Sequence, residues 1–458
     1  MKFKRWSLVG IVVLAITMLS GCTLWNLLFG SVDYAKIEHI KDQYGRVVIY
    51  HGANHSNFSK HSPDNLPWHD GSQYKMLNEW GFNVVRFQVF WSAIEPKKDS
   101  IDFVYLNKVS AHIDAMKAVG IDVIIDWHQD LYSEKFSGNG MPDWTAHDDG
   151  FPFNEREPWH LNYREPAVIA AFTHFWKNTD NVQTECIDAI MLMLKRFERH
   201  TNIVGLHPYN EPFPGAYVIT FEPQELTNYY IELERRKIEA GSTIPLYFEP
   251  SIFSSSMVPT RLSFEPKRLA VYFPHYYDAS IDYGVGDKYG KTGWRLMKEA
   301  IEIKVLEAQE RKVPFMLGEF GMKSGVEGRL QFYDDIMYLA DRYQFGWTVW
   351  AFDPTTYGSM GLFDPEGNEQ VMMKALVRIY PQRTAGDQLR WRSNRNSFKF
   401  EYMPNRKIDE PTIIFIPKHL KGIQVQVNGG ELESFGGGQY EHKNVGNEKQ
   451  EIRITWEE

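Results

Sequence analysis

The sequence predicts a (β/α)8 barrel followed by a small antiparallel β-sandwich, and three observations predict it. Short apolar runs of β-type residues recur between residues 47 and 350, alternating with longer stretches of helical periodicity at all but one connection. The runs are apolar at successive positions instead of alternating, as parallel strands covered on both faces are. After about Pro381 the pattern switches to period two with Gly, Asn and Pro at the turns, which marks short antiparallel strands.

In chain order, Ile37–Ile49, with Gln43-Tyr44-Gly45 at its turn, reads as a hairpin leading into the first strand. The candidate barrel strands are Val47–Tyr50, Val84–Val89, Val123–Ile125, Val204–His207, Leu246–Phe248, Leu269–Tyr272, Phe315–Leu317 and Gly346–Trp350. Candidate helices are Gln73–Trp80, Tyr105–Val119, Val182–His200, Pro223–Ala240, Trp294–Lys312 and Gly328–Tyr343. In Tyr105–Val119 the residues Leu106, Val109, Ile113, Met116 and Val119 fall on one helical face. The segment Glu249–Arg268 between the fifth and sixth strands is rich in Ser and Pro and poorly helical. Leu131–Asn181 is far longer than an ordinary βα connection and carries Met141, Trp144, Phe151, Phe153 and Trp159, with one short helical stretch at Pro166–Trp176. Beyond the barrel, Ser397–Tyr402, Thr412–Ile416, Ile423–Val427 and Glu451–Trp456 read as strands, with Asn428-Gly429-Gly430 as a hairpin turn. These readings divide the chain into a barrel over 37–381 and a β-sandwich over 382–458.

Residues 1–36 have another character. Met-Lys-Phe-Lys-Arg precedes an apolar run from Leu8 to Leu19, too short for a comfortable membrane span of about 20 residues and typical of a secretory signal. It ends in Leu19-Ser20-Gly21-Cys22, which resembles a bacterial lipobox. That resemblance implies cleavage after residue 21, lipidation of Cys22, and a tether over 22–36. It places the protein outside the cytoplasm on a membrane, the outer one in a Gram-negative cell because Thr23, not Asp, follows the cysteine. The only other cysteine is Cys186, so neither a disulfide framework nor a cysteine metal site is expected. The net charge of −9 argues against nucleic acid as a partner. No metal or cofactor is expected, since no His/Asp cluster reads as a ligand set. Aromatics at 15% of residues fit a Phe-rich core as well as a ring-lined cleft.

In barrels of this kind the reactive groups follow the carboxyl ends of the strands. Asn210-Glu211-Pro212 follows the fourth candidate strand, and Gly318-Glu319-Phe320-Gly321 follows the seventh. Two such carboxylates can face each other across the barrel mouth, as glycosidic cleavage requires: one protonates the leaving oxygen and the other attacks the anomeric carbon or activates water. Arg86, near the end of Val84–Val89, would keep a neighbouring carboxylate ionised. Glu249, in Phe248-Glu249-Pro250, mimics the first motif but lacks its Asn and reads as a substrate contact or structural acid; Glu95 and Asp353 read as structural.

Together the two motifs resemble glycoside hydrolase family 5. The resemblance covers most of 45–380 and implies that Glu211 is the general acid/base and Glu319 the nucleophile of a retaining enzyme. It further implies that Arg86 steadies the nucleophile, that His128 and Asn210 contact the sugar, that His275 and Tyr277 orient the two carboxylates, and that Trp350 is a stacking platform. A narrower resemblance, through Asp126-Trp127-His128-Gln129-Asp130, Ser133-Glu134, Gly138–Trp144 and Trp347–Phe352, is to endoglycoceramidases. It implies a glycosphingolipid substrate, with Asp130 and, on a looser match, Lys60 gripping the sugar next to the ceramide. An endo-β-glucanase or mannanase at the cell surface, and a carbohydrate-binding protein without activity, are the other readings. The expected partners are therefore a glycolipid or oligosaccharide and, through the anchor, a membrane.

Overall fold

A computed structural model describes residues 30–457 apart from 256, 257, 283, 285, 357 and 358. The signal segment and Cys22 lie outside the described residues. At the end of the expected tether, Gln309 donates to the Asp33 carbonyl at 2.7 Å and Tyr34 stacks on Tyr343, so this part of it lies against the barrel.

Eight parallel strands build the barrel: β1 His51–His55, β2 Val84–Val89, β3 Asp122–Trp127, β4 Ile203–His207, β5 Leu246–Phe248, β6 Ala270–Tyr272, β7 Met316–Leu317 and β8 Gly346–Val349. The order of the sheet is β6-β5-β4-β3-β2-β1-β8-β7. Tyr272 closes the ring by bridging to Phe315, and a short parallel ladder pairs His275 with Glu319 and Tyr276 with Phe320. That ladder brings the segments after β6 and β7 side by side at the mouth. Every residue of β2 is buried, Arg86 and Gln88 included, so its apolar residues fall on both faces.

The helices between the strands are α1 Tyr74–Glu79, α2 Phe103–Ala118, α3 Pro166–Trp176, α4 Val182–Phe197, α5 Thr227–Glu239, α6 Lys291–Arg311 and α7 Arg329–Tyr343. Their apolar faces fill the main core against the outside of the barrel. Asp102 caps α2 by accepting from the Val104 and Tyr105 amides at 2.8 and 2.9 Å, and Pro166 stands in the first turn of α3. The barrel floor is a second, tight cluster that includes Val84, Ile124, Tyr247 and Phe273. Gly205 is required there: a Cβ would meet the Tyr247 ring at 2.3 Å.

Among its described residues the connection from β5 to β6 has a single 3-10 turn, Ile252–Ser255. Buried carboxylates of neighbouring segments satisfy its main chain in place of helical bonds. Glu222 accepts from the Ser251 amide at 3.0 Å and the Arg261 amide at 2.6 Å, Glu307 from the Thr260 amide at 2.7 Å, and Glu234 from the Lys267 amide at 2.8 Å.

The C-terminal unit has two antiparallel sheets. One joins β9 Tyr380–Thr384, β12 Thr412–Phe415, β15 Gln439–His442 and β14 Leu432–Gly436; the other joins β10 Gly386–Asn394, β11 Ser397–Pro404, β16 Gln450–Glu457 and β13 Lys421–Val427.

Two expectations are corrected. Val47–Tyr50 is not the first barrel strand: Val47 and Val48 pair antiparallel with Thr384 and Arg383 and form the edge of the first sandwich sheet. This strand stitches the two units together, and Val47 and Ile49 belong to the sandwich core. Asn428-Gly429-Gly430 is not a hairpin turn either. The strands on its two sides belong to different sheets, so these residues, with Gly429 and Gly430 at φ 133° and 69°, carry the chain across the sandwich.

Candidate active site

Arg86 of β2 is the hub of the mouth. It is fully buried, and its guanidinium spreads over the ends of four strands. Nη1 donates to Asn54 Oδ1 at 2.7 Å and pairs with Glu319 Oε1; Nη2 donates to Asp126 Oδ1 at 2.9 Å and to Asn210 Oδ1 at 2.7 Å. His207 Nδ1 lies 2.9 Å from Nη2. Only a planar fork of donors meets so many acceptors at once. Asp126 is held well below the usual carboxylate range: burial opposes its charge, but Arg86 and then His128 outweigh it.

Glu319 accepts the Tyr277 hydroxyl on Oε2 at 2.8 Å and has His275 Nδ1 at 3.7 Å from the same oxygen. Burial works against its charge, yet His275, Arg86, Lys60 and His128 together hold it below the ordinary glutamate value. Glu211 lies opposite. Its Oε1 is 3.1 Å from His275 Nδ1. Burial raises it above the ordinary value, against the pull of His275 and with the help of the Glu319 and Glu249 charges. The two carboxyl groups are thus pushed apart, one toward the protonated and one toward the ionised form, as an acid and a nucleophile require. One atom from each of Glu211, His275 and Glu319 can be chosen so that all lie within 4.8 Å. Among the described residues this trio has the spacing of metal ligands, but Arg86, Tyr277 and His275 already supply donors to both carboxylates, and no metal is assigned.

One wall of the mouth joins the remaining expected residues. His128 sits between Asp126 and Asp130, with Nδ1 2.7 Å from Asp126 Oδ2 and Nε2 3.2 Å from Asp130 Oδ2. Burial disfavours its charge, but Asp126 leads the groups that raise it above the usual histidine value. Lys60 Nζ pairs with Asp130 Oδ2 at 2.7 Å and stands 4.2 Å from the centre of the Trp350 ring. His128 stacks near the same ring, with interplanar angle 15°. Asn210 Oδ1 is taken by Arg86, while its Nδ2 donates to the Gln129 carbonyl at 3.0 Å. The structure therefore brings Lys60, Arg86, His128, Asp130, Asn210, Glu211, His275, Tyr277, Glu319 and Trp350 to one cleft.

Other members were not expected. Asn54 and His207 complete the Arg86 shell. Asn139 pairs its main chain with Asp130 and donates Nδ2 to Asp130 Oδ2 at 3.3 Å. Asp353 accepts the Asn57 amide at 2.6 Å and so fixes the turn that carries Lys60; burial pushes it up to about 7. Asn54 and His207 stand on barrel strands and Asp353 shortly after one, the placement that also marks Arg86; Asn139 lies in the long loop and carries no such signal. Of the large apolar residues in the long loop, Met141 is buried and Trp144 packs on Trp91 while donating to the Glu95 carbonyl at 3.0 Å. These two clad the barrel; Phe151 and Trp159 are exposed.

Residues 42–356 match the cellulase model of glycosyl hydrolase family 5. The chain belongs to glycoside hydrolase family 5. Residues 378–456 match the C-terminal domain model of the same family, so both units have counterparts there. Endoglycoceramidase I of Rhodococcus hoagii is 28% identical over 423 residues, which span 87% of this chain and 83% of that protein. An endoglycoceramidase of Hydra vulgaris is 22% identical, over 75% of this chain and 72% of its own length. Endo-glycoceramidase II from Rhodococcus sp. in complex with ganglioside GM3 superposes with a TM-score of 0.83 at 25% identity, covering 92% of this chain and 99% of that one.

Proposed function

We propose that this family 5 enzyme is a retaining β-glycosidase that releases the intact glycan from glycosphingolipids. The observation that carries the chemistry is the spacing of the carboxylates. Oxygens of Glu211 and Glu319 within 4.8 Å match the roughly 5 Å of retaining pairs and leave no room for the water of an inverting one. Glu319, ionised and steadied by Arg86 and Tyr277, attacks the anomeric carbon while Glu211 gives its proton to the glycosidic oxygen, freeing the lipid alcohol. Glu211, now a carboxylate, takes a proton from the incoming water, which displaces Glu319 and regenerates both groups. Asn210 keeps one N–H of Nδ2 for the 2-hydroxyl of the sugar, a bond that strengthens in the transition state.

The lipid-linked aglycone is supported by the likeness to endoglycoceramidases over both units and by the rim of the cleft. Exposed Trp159 leads through Tyr163 and Phe213 to exposed Phe253, with ring centroids 6.2, 4.7 and 6.0 Å apart. Phe213 in this row lies two residues after Glu211, the group that meets the leaving oxygen. A cell-surface placement by lipidation of Cys22 is supported by the Leu19-Ser20-Gly21-Cys22 sequence; loss of membrane-bound protein in Cys22→Ser tests it. Product analysis on a panel of glycosphingolipids and β-glucans tests the substrate. Free oligosaccharide plus ceramide supports the proposal, and cleavage of glucan or mannan alone refutes it.

A further inference from the structure

A third carboxylate stands behind the acid/base and takes no part in the double displacement. Glu249 follows β5 and is 1% exposed. Its Oε1 accepts the main-chain N–H of Glu211 and lies 3.2 Å from His207 Nε2; its Oε2 lies 3.8 Å from His275 Nε2. The His275 ring therefore lies between two carboxyl groups, with Nδ1 against Glu211 and Nε2 toward Glu249. Glu211 itself has φ 42°, a left-handed conformation that a non-glycine residue keeps only where its surroundings impose it. Both of its main-chain polar groups are gripped, the N–H by Glu249 and the carbonyl by Gln129 Nε2 at 3.3 Å.

We infer that Glu249 is a positioning residue for the acid/base: it holds Glu211 in its bend and keeps His275 doubly protonated, so that His275 donates to Glu211 and cannot take its proton. A neutral imidazole with a bare Nδ1 at 3.1 Å would draw the acidic proton away from the glycosidic oxygen. The surrounding charges agree. Burial opposes a charged His275, but Glu249, ahead of Glu319 and Glu211 and against Arg86, raises it to about 9. The Tyr230 hydroxyl donates to the Glu249 main-chain carbonyl at 2.8 Å.

The inference rests on Glu211 being the acid/base, and the test separates the two. Glu249→Gln keeps an oxygen for the Glu211 amide and removes the charge. On lactosylceramide kcat is expected to fall at least tenfold, part of the roughly 10²–10⁴-fold that general acid catalysis supplies, with KM within about twofold. A 2,4-dinitrophenyl β-lactoside, whose leaving group departs without a proton, is expected to keep its glycosylation rate within about threefold. The ¹⁵N resonances of His275 should show its titration midpoint lowered by at least about one unit. Equal losses on both substrates, no loss on either, or an unshifted His275 would overturn the inference. So would a His275 that titrates below neutrality in the parent enzyme, a measurement independent of how the variant folds. Full activity of Glu211→Ala on lactosylceramide would instead overturn the acid/base assignment.

Discussion

Replacing Arg86 by Met tests the hub of the site on two independent scales. The guanidinium is fully buried and bonds Glu319, Asp126, Asn54 and Asn210. Removing one partner of a buried ion pair costs about 3–5 kcal/mol, because the other charge is left uncompensated. Here both carboxylates keep other donors: Asp126 has His128 at 2.7 Å, and Glu319 has the Tyr277 hydroxyl at 2.8 Å. The loss should therefore lie near the lower end, about 3 kcal/mol, read as a shift of the urea midpoint. Arg86→Lys retains a charge but not the fork, and should cost about 1–2 kcal/mol through acceptors left unpaired. The kinetic consequence is separate. Arg86 lowers the Glu319 pKa, and the nucleophile must be ionised, so the acidic limb of kcat/KM moves to higher pH in Arg86→Met. An Arg86→Met protein within about 0.5 kcal/mol of the parent, with an unmoved acidic limb, would refute this account of the hub.

Four further outcomes are expected. His55, His69 and His112 share a buried network through Tyr74, with His55 Nε2 3.0 Å from His69 Nε2, and burial lowers all three, His69 to about 3 and His112 to about 4. Because their folded values lie below the unfolded one of about 6.5, the unfolded chain binds more protons as pH falls, and stability present at pH 7 is lost progressively below it; Tm should drop steeply from pH 7 to pH 5, and a flat profile would contradict the network. Lys60→Met and Asp130→Asn should each raise KM for the natural glycan about tenfold with kcat changed much less, and an unchanged KM would remove this pair from substrate binding. Asp353→Asn should weaken substrate binding in the same direction as Lys60→Met, since both act on the Lys60 turn, and no change in KM would make Asp353 purely architectural. Trp159→Ser with Phe253→Ser should reduce turnover of glycosphingolipid in vesicles while sparing soluble aryl glycosides; equal loss on both would sink the lipid role of the rim.

Much of this molecule was legible from residue pattern, and the failures have physical causes. Val84–Val89 and Leu246–Phe248 were readable because burial on both faces fills them with apolar residues at adjacent positions, with Arg86 and Gln88 as the exceptions in the first. The first barrel strand was missed by a few residues for the converse reason. His51–His55 carries a stacking histidine, a glycine and an asparagine: His51 lies between the Trp347 and Tyr380 rings, a Cβ on Gly52 would meet the Val84 carbonyl oxygen at 1.9 Å, and Asn54 serves Arg86. The neighbouring Val47–Tyr50 looked like a core strand because it is one, of the sandwich. Asn428-Gly429-Gly430 announced a bend but not its destination, since positive φ is needed as much to cross between sheets as to reverse within one. In the site, the motif residues were found where strand ends carry an acid or a cation. Glu249 looked like a weak copy of the Asn-Glu-Pro motif; what sets it apart is the direction of its carboxylate, toward the Glu211 amide and His275, which no spacing along the chain records.

The central claim is that Glu319 forms a covalent bond to the sugar within a pair of carboxyl groups too close for an inverting water. Incubation with an activated 2-deoxy-2-fluoro β-glycoside, followed by mass spectrometry of the peptic peptides, tests it most directly. A single adduct on Glu319 that accumulates in the parent and is absent from Glu319→Gln is the expected result. An adduct on Glu211 or Glu249, or stoichiometric inactivation with no adduct on residue 319, would contradict it.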